Sequence, residues 1–169
     1  LGTLNIADMT QKVALLTGDD VYLAKAGGLL LLVVFALKAA LLPLHLWLPN
    51  TYASAKPVVA ALFAIMTKVG VYAMLRVYTV IFGEQAGELE HMAQSWLWGL
   101  AIATIVVGAI GVMAAQDLRK LTANLVVVSV GTLVALIALQ NVTATAALLY
   151  YLVHSTLVSA ALFLLADLI

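Results

Sequence analysis

The sequence predicts an all-α fold: a polytopic transmembrane helical bundle, about five spans of a larger structure with one broken helix. Three observations carry this. Of the 169 residues, 65% are hydrophobic and 9% charged, and mean hydropathy is +1.14. No soluble domain of this size hides so much apolar surface, so the solvent is lipid. The apolar residues fall into long runs separated by short polar turns, and the first run contains a proline, Pro43.

The same composition excludes several function classes. There is no cysteine, which removes disulfides and thiolate metal sites. Net charge is zero and no basic run interleaves with aromatics, so nucleic-acid binding has no support. No nucleophile–base arrangement, metal cluster or phosphate loop is present, so neither catalytic residues nor a cofactor or metal is expected. The chain starts at Leu1 without a signal-peptide pattern and stops on the edge of an oily run. It is expected to be an internal piece of a larger membrane protein.

Residues 1–25 read as an extramembrane segment. Ile6, Met9, Val13 and Leu16 fall on one helical face over 5–16, and Asn5 with Asp8 resembles an N-terminal cap. Such a helix either lies on the membrane surface or packs on other loops as an ordinary loop helix. Residues 26–169 form the transmembrane bundle. Hydropathy places its spans at 26–47, 57–82, 95–115, 121–139 and 144–166. Most connections are short, so neighbours are expected to pack as antiparallel hairpins. Trp47, Trp96 and Trp98 fall near span ends, where interfacial anchors sit.

Loop charge gives an orientation. Lys56, Arg119 and Lys120 lie in the loops after spans one and three, at 48–56 and 116–120. The opposite side carries Asp19, Asp20, Glu84, Glu88 and Glu90, with Lys12, Lys25 and Arg76 as its bases. Arg76 lies inside a span, where it either snorkels as an interfacial anchor or forms part of the path, and Lys12 lies far from one. With these two discounted, the loops at 48–56 and 116–120 lean to the cytoplasmic side of a bacterial cytoplasmic membrane.

The chemistry lies in the basic residues inside the oil. Lys38, Lys68 and His154 sit near the middle of spans one, two and five. Each is flanked by roughly ten apolar or small residues, about half a bilayer core at ~1.5 Å rise per residue. A charge there costs on the order of 3 kcal/mol. Three at similar depth point to a polar line carrying protons or cations. They are expected to face inward, to share one depth, and to place Lys68 between the other two with polar or hydrated space on both sides. Gaps of roughly 6–12 Å would then be bridged by water.

Each residue has a plainer alternative. Lys38 either serves the path or snorkels along its stem. Pro43, which cannot donate a backbone hydrogen bond, frees the carbonyl of Ala39 and is expected to break the helix just beyond Lys38. His45 falls two turns after Lys38 on the same face. Gly70 lets another helix approach Lys68's span closely, and Tyr72 lies one turn from Lys68 on the same face. His154 lies between Tyr151 and Ser155, and Tyr151, Ser155 and Ser159 repeat every four residues. That stripe is either part of a proton relay or a helix-packing face around a structural histidine. Gly108 and Gly111 read as close packing in span three. Asn124, Ser129 and Thr132 in span four either wet the path or make interhelical hydrogen bonds. Asp117, Arg119 and Lys120 read as a solvated turn with local pairing.

All eight acids lie in loops or at span ends. Buried bases pair with acids or stay neutral, so any counter-charge is expected from the rest of the protein or from a partner subunit. Histidine titrates near neutral pH without help, and lysine–histidine–water lines are plausible proton wires.

These residues resemble a known family. Lys38, Pro43, His45, Trp47 and Pro49 within 38–49 are similar to the lysine helix and following loop of the antiporter-like subunits of respiratory complex I and of Mrp sodium/proton antiporters. The likeness continues through 57–62, through Thr67–Tyr72 around Lys68, through the turn at 117–121, and through 150–164 around His154, which is most similar to the D-type subunits of Mrp antiporters. The resemblance covers nearly the whole chain. It implies a larger bundle of two inverted repeats with broken helices, of which this piece matches the seventh to eleventh spans. It implies that Lys38 matches a lysine paired with a glutamate of the fifth span, Lys68 the connecting lysine or histidine of the eighth, and His154 the histidine of the eleventh. Asn50 stands where an aspartate is common, and Lys56 where a small residue is common. Span five also lacks the lysine that complex I subunits often carry a turn after the histidine, which favours the Mrp type.

The resulting expectation is a non-enzymatic, proton-translocating membrane subunit of a sodium/proton antiporter. Its partners would be the other subunits of the complex, its cargo protons and sodium ions, and its solvent the lipid bilayer. The rival readings are a proton-pumping subunit of complex I or a membrane-bound hydrogenase, and a structural membrane subunit whose polar residues only pack.

Overall fold

The computed structural model describes residues 2–168. Among them, seven α-helices run in order: α1 (Ile6–Ala14), α2 (Asp19–Ala39), α3 (Trp47–Ser54), α4 (Pro57–Arg76), α5 (Gln94–Ala114), α6 (Leu118–Ala138) and α7 (Val142–Leu165). α4 continues as a π-helical turn, Val77–Ile81, and a single 3-10 turn covers Gly87–Leu89. Five segments are long and apolar enough to cross a membrane: Asp19–Ala39, Pro57–Ile81, Gly87–Ala114, Leu118–Ala138 and Val142–Leu165.

Local chemistry sets the helix ends. Asn5 caps α1 by accepting from the Ala7 amide at 3.0 Å, and Asp8 pairs with Lys12 one turn on at 2.9 Å. Val13, Ile6, Met9 and Leu16 turn into the protein, where α1 covers the π turn and the 3-10 turn. Thr10 also donates to the Val80 carbonyl at 3.3 Å. The apolar face of α1 is thus turned onto neighbouring loops. Pro57 sits in the first turn of α4, where its missing N–H costs nothing. Asn141 caps α7 by accepting from the Ala144 amide at 2.6 Å.

The first span differs from the expected 26–47. It begins at Asp19 and ends at Ala39. Ala40 takes a left-handed conformation with φ 58°. Its amide donates to the Leu37 carbonyl at 3.2 Å, and the Leu41 amide donates to Ala36 at 2.8 Å. This bond pair is a Schellman closure, and it terminates the helix before Pro43 is reached. The break expected beside Lys38 is present, but freeing of the Ala39 carbonyl by Pro43 is not its cause. Pro43 instead sits in the irregular link, 40–46, that joins α2 to α3.

The loose backbone of that link is held from two sides. The Leu42 amide donates to Thr104 Oγ1 on α5 at 3.0 Å. The Trp47 indole N–H donates to the Leu37 carbonyl at 3.1 Å. Trp47 is therefore a clasp on the helix break and not a marker of a span end. In lipid, irregular backbone survives where such partners are supplied.

α5 and α6 form the most intimate pair, and the reason is glycine. A Cβ on Gly131 would stand 2.7 Å from Ile105 Cγ1 and 3.0 Å from the Ile105 backbone nitrogen. One on Gly108 would stand 2.8 Å from Val128 Cγ2, and one on Gly111 2.2 Å from Asn124 Oδ1. The helices approach at distances that only small residues allow. α4 lies between α2 and α7, and α6 backs onto both α3 and α7. A second apolar cluster, around Leu48, Tyr52, Val127 and Phe163, seats α3 on α6, α4 and α7. The Tyr52 hydroxyl donates to the Phe63 carbonyl at 2.6 Å.

The connections sort to two ends. Ala53, Ser54, Asp117, Arg119 and Ala166 surround one cavity, so the loops at 48–56 and 116–120 share an end with the close of α7. There Arg119 pairs with Asp167 at 3.1 Å and Lys120 with Asp117 at 3.3 Å. The pairing expected within that turn therefore reaches across to α7 as well. Residues 77–91 and 139–142 gather at the opposite end.

Candidate functional site

Lys68 is the one member of the basic trio that the described chain buries, at 2% exposed. Its Nζ donates to Ser129 Oγ on α6, and Ser129 Oγ in turn donates to the Val126 carbonyl at 2.8 Å. No acid pairs with Lys68 among the described residues. The ammonium or amine at the centre of the bundle is thus held by a hydroxyl alone. Of the two roles open to Ser129, the interhelical bond is realised, and its partner is Lys68.

Lys38 occupies a different position from the one expected. Because α2 stops at Ala39, Lys38 stands in its last turn and not at mid-helix. A cation there faces the negative end of the helix dipole and the free carbonyls of the terminus, a favourable site. Its depth is nevertheless close to that of Lys68. A Cβ on Gly70, half a turn from Lys68, would lie 3.2 Å from Lys38 Cγ and 3.0 Å from the Ala39 backbone nitrogen. Gly70 is the close-approach residue it was expected to be, and it lets the end of α2 lie directly on the centre of α4.

The expectation that all three bases face inward does not hold within this chain. Lys38 and His154 are exposed. Lys38 borders an open groove of about 520 Å³ between α2 and α4, with Val34, Trp47, Val69 and Ala73 among its walls. His154 stacks on Tyr150 with ring centroids 6.1 Å apart, on the outer face of α7. The physical reason is angular. On α7, Leu148, Ser155, Ser159 and Phe163 occupy the buried stripe, and His154 lies about 100° from Ser155 on a 3.6-residue helix.

The accessory residues divide in the same way. Ser155 is buried, and its hydroxyl donates to the Leu152 carbonyl at 3.4 Å. Tyr151 packs partly buried against the main core. Tyr72 is exposed and shares with Lys68, Val153 and Thr156 the lining of a groove of about 330 Å³ between α4 and α7. His45 is corrected: it does not share a helical face with Lys38, because the helix ends between them. It lies in the link 40–46, with Nδ1 buried and without a hydrogen-bond partner among the described residues.

The order of the trio is as expected. Lys68's helix lies between that of Lys38 and that of His154. The spaces on its two sides are open grooves and not packed leucines, but their walls are mostly apolar apart from the lysines, Tyr72 and Thr156. One contributor escaped the sequence reading. Thr104, fully buried, supplies the hydroxyl that fixes Leu42 just past Lys38. Its only signal was being the single hydroxyl in the apolar stretch 99–114.

A family described as NADH:quinone oxidoreductase/Mrp antiporter, transmembrane, matches residues 1–169. The chain belongs to this family. It is accordingly an integral membrane chain. Among curated proteins it is 43% identical over 168 residues to a probable K(+)/H(+) antiporter subunit, of the D type, from Rhizobium meliloti, covering 99% of this chain and 31% of that protein. It is 36% identical over 166 residues to the D-type Na(+)/H(+) antiporter subunit of Bacillus subtilis, covering 98% of this chain and 32% of that protein. Among solved structures, a chain of the Mrp complex from Dietzia sp. DQ12-45-1b superposes with a TM-score of 0.81 at 31% identity, over 97% of this chain and 29% of that one. The chain thus spans about a third of the length of the relatives it matches.

Proposed function

We propose that the chain forms the Lys68-centred part of a proton-translocating membrane subunit in a multisubunit monovalent cation/proton antiporter. The observation that carries this is Lys68: a basic group at the middle of a membrane bundle, buried without an acid and held by one serine hydroxyl. A purely packing role is disfavoured by cost, because an apolar residue of similar size would fill the site without a desolvation penalty. Lysine can accept and release a proton, and Lys68 borders the open groove between α4 and α7.

Lys38 and His154 flank Lys68 as the neighbouring stations, with protons passing between them along bridging waters. The exposed faces that carry them suit contact with other protein, since a charge left against lipid costs on the order of 3 kcal/mol. The other subunits of the antiporter are the partners, and sodium or potassium the exchanged cation. The names of the relatives, antiporter subunits for either ion, favour this over a redox-driven pump. The end carrying the 48–56 and 116–120 loops faces the cytoplasm of a bacterial cell, following its Lys56, Arg119 and Lys120.

The test is Lys68→Met in the full-length protein within its assembled complex, assayed for cation-driven proton movement in membrane vesicles. Methionine keeps length and volume but carries no proton. Loss of antiport with the subunit still assembled is the expected result. Antiport near the unsubstituted rate would sink the reading.

A further inference from the structure

We propose that His91 and Gln140 form a proton-operated latch at the acidic end of the bundle. When the His91 ring takes up a second proton, it bridges the loop after α4 to the turn before α7. The latch regulates a joint of the fold and does not depend on the role of Lys68.

Two buried atoms are left without partners. His91 Nδ1 and Gln140 Oε1 have no hydrogen-bond partner among the described residues, and such groups are normally paired with protein or water. Both residues line one cavity of about 570 Å³, His91 from the loop 82–93 and Gln140 from the turn 139–142. His91 Nε2 stands 3.2 Å from a carboxylate oxygen of Glu90. A neutral ring donates there from Nε2, and that leaves Nδ1 as a bare lone pair. Gln140 Oε1 is an acceptor as well. Two acceptors cannot satisfy each other. A proton on Nδ1 turns that nitrogen into a donor and gives both atoms a partner, directly or through one bridging water.

The backbone holds both residues in place. His91 and Gln140 take left-handed conformations, with φ 52° and 48°, uncommon for residues other than glycine and costly to maintain. The His91 amide donates to the Phe82 carbonyl at 3.1 Å, and its own carbonyl accepts from the Gln94 amide at 2.9 Å. The Gln140 amide donates to the Ile137 carbonyl at 3.2 Å and closes α6. Gln94 Nε2 donates to the Ala138 carbonyl at 3.1 Å, drawing the start of α5 to the end of α6. The loop of His91 continues from α4 and the turn of Gln140 leads into α7. A bridge between them therefore stiffens the pair of helices that carries Lys68 and His154.

The charges around the ring suit a cation. Its own loop carries Glu84, Glu88 and Glu90, and the 139–142 turn carries no charge. α1 brings Asp8 and Lys12, paired at 2.9 Å. α2 opens with Asp19 and Asp20, with Lys25 beyond, and α4 closes with Arg76. Acids predominate, and Glu90 supplies the counter-charge at the ring itself. Imidazole is the side chain whose charge changes between about pH 5 and pH 8. A contact made only by the protonated ring is present at low pH and is lost as pH rises.

The experiment uses the full-length protein in its assembled complex and reads amide hydrogen exchange over 82–93 and 139–142 by mass spectrometry. Protection is compared at about pH 5.5 and about pH 8, after division by the intrinsic exchange rate. It should be at least about threefold greater at the lower pH in both segments, and unchanged at the opposite end, in 116–120. His91→Asn keeps a side chain that tolerates left-handed backbone but does not titrate, and should remove the step. Gln140→Glu sets a carboxylate opposite the ring and should move the step to higher pH by about one unit. Level protection in the unsubstituted protein overturns the latch. So does protection that falls at low pH, which is what a Gln140 N–H donated to the neutral ring would give. A step that survives in His91→Asn, or that stays in place in Gln140→Glu, assigns the response to another group and overturns the latch as well.

Discussion

The α5–α6 pair and the α4–α7 pair are both antiparallel helices in one bundle, and they are built for opposite ends. Along α5 and α6, Gly108, Gly111 and Gly131 let backbone and side chain meet with no room for another methyl group. Along α4 and α7 no glycine faces the partner helix at the centre. Lys68 and Tyr72 stand there, and a groove of about 330 Å³ follows. The first pair is a wall, whose value is van der Waals packing. The second is a seam, which keeps open space beside a buried lysine. In lipid the hydrophobic effect does not discriminate between them, so close packing and hydrogen bonds decide.

The largest expected effect separates function from stability at the seam. Lys68→Met should abolish antiport while the thermal midpoint in detergent stays the same or rises. The substitution removes a buried base, and Ser129 keeps its own bond to the Val126 carbonyl. A drop in the midpoint with antiport intact would reverse the contrast between seam and wall. If Lys38 is a station of the proposed path, Lys38→Ala should likewise remove antiport with normal assembly.

The wall should respond the other way. Gly131→Leu forces side-chain bulk against the Ile105 backbone, which cannot step aside. Overpacking of this kind costs about 1–3 kcal/mol, visible as a lower midpoint and a smaller yield of assembled complex. Unchanged stability would mean that α5 and α6 are free to separate. Thr104→Val tests the joint between wall and break. It removes the acceptor of the Leu42 amide, at about 1 kcal/mol, and should loosen the link beside Lys38, read out as faster amide exchange over 40–46. Thr104→Ser should restore it.

The smallest effect belongs to α1, outside both regions. The hydrogen bond from Lys12, with a smaller contribution from Thr3, holds the Asp8 carboxyl below its ordinary value of 3.8. A lowered carboxylate pKa adds stability above the unfolded value and loses it as pH falls through the folded value. Any pH response of α1 from this pair is therefore confined to below about 3.8. The pair is exposed, so Asp8→Asn should leave the midpoint unchanged at neutral pH. A measurable drop would show that α1 braces the π turn more strongly than its packing indicates.

Hydropathy alone located the five spans, because apolar runs of this length have no other stable solvent. Periodicity and the cap residue marked α1, and the bases inside the oil singled out Lys38, Lys68 and His154 together. These features are local: each depends on the spacing of residue types along one helix. What only the tertiary structure decided is everything that depends on which face meets which. Lys38 moved from mid-helix to a helix end because a Schellman closure at Ala40 stopped α2 ahead of Pro43. His45 left the shared face for the same reason. Trp47 became a clasp and Thr104 an anchor, because free backbone groups in lipid must find partners and these two stood within reach. Lys68 was buried and His154 exposed, although both lie at the middle of oily spans of similar composition. An α-helix turns about 100° per residue. Depth in the membrane is therefore written in the order of residues, while the direction a side chain faces is set by the neighbour it packs against.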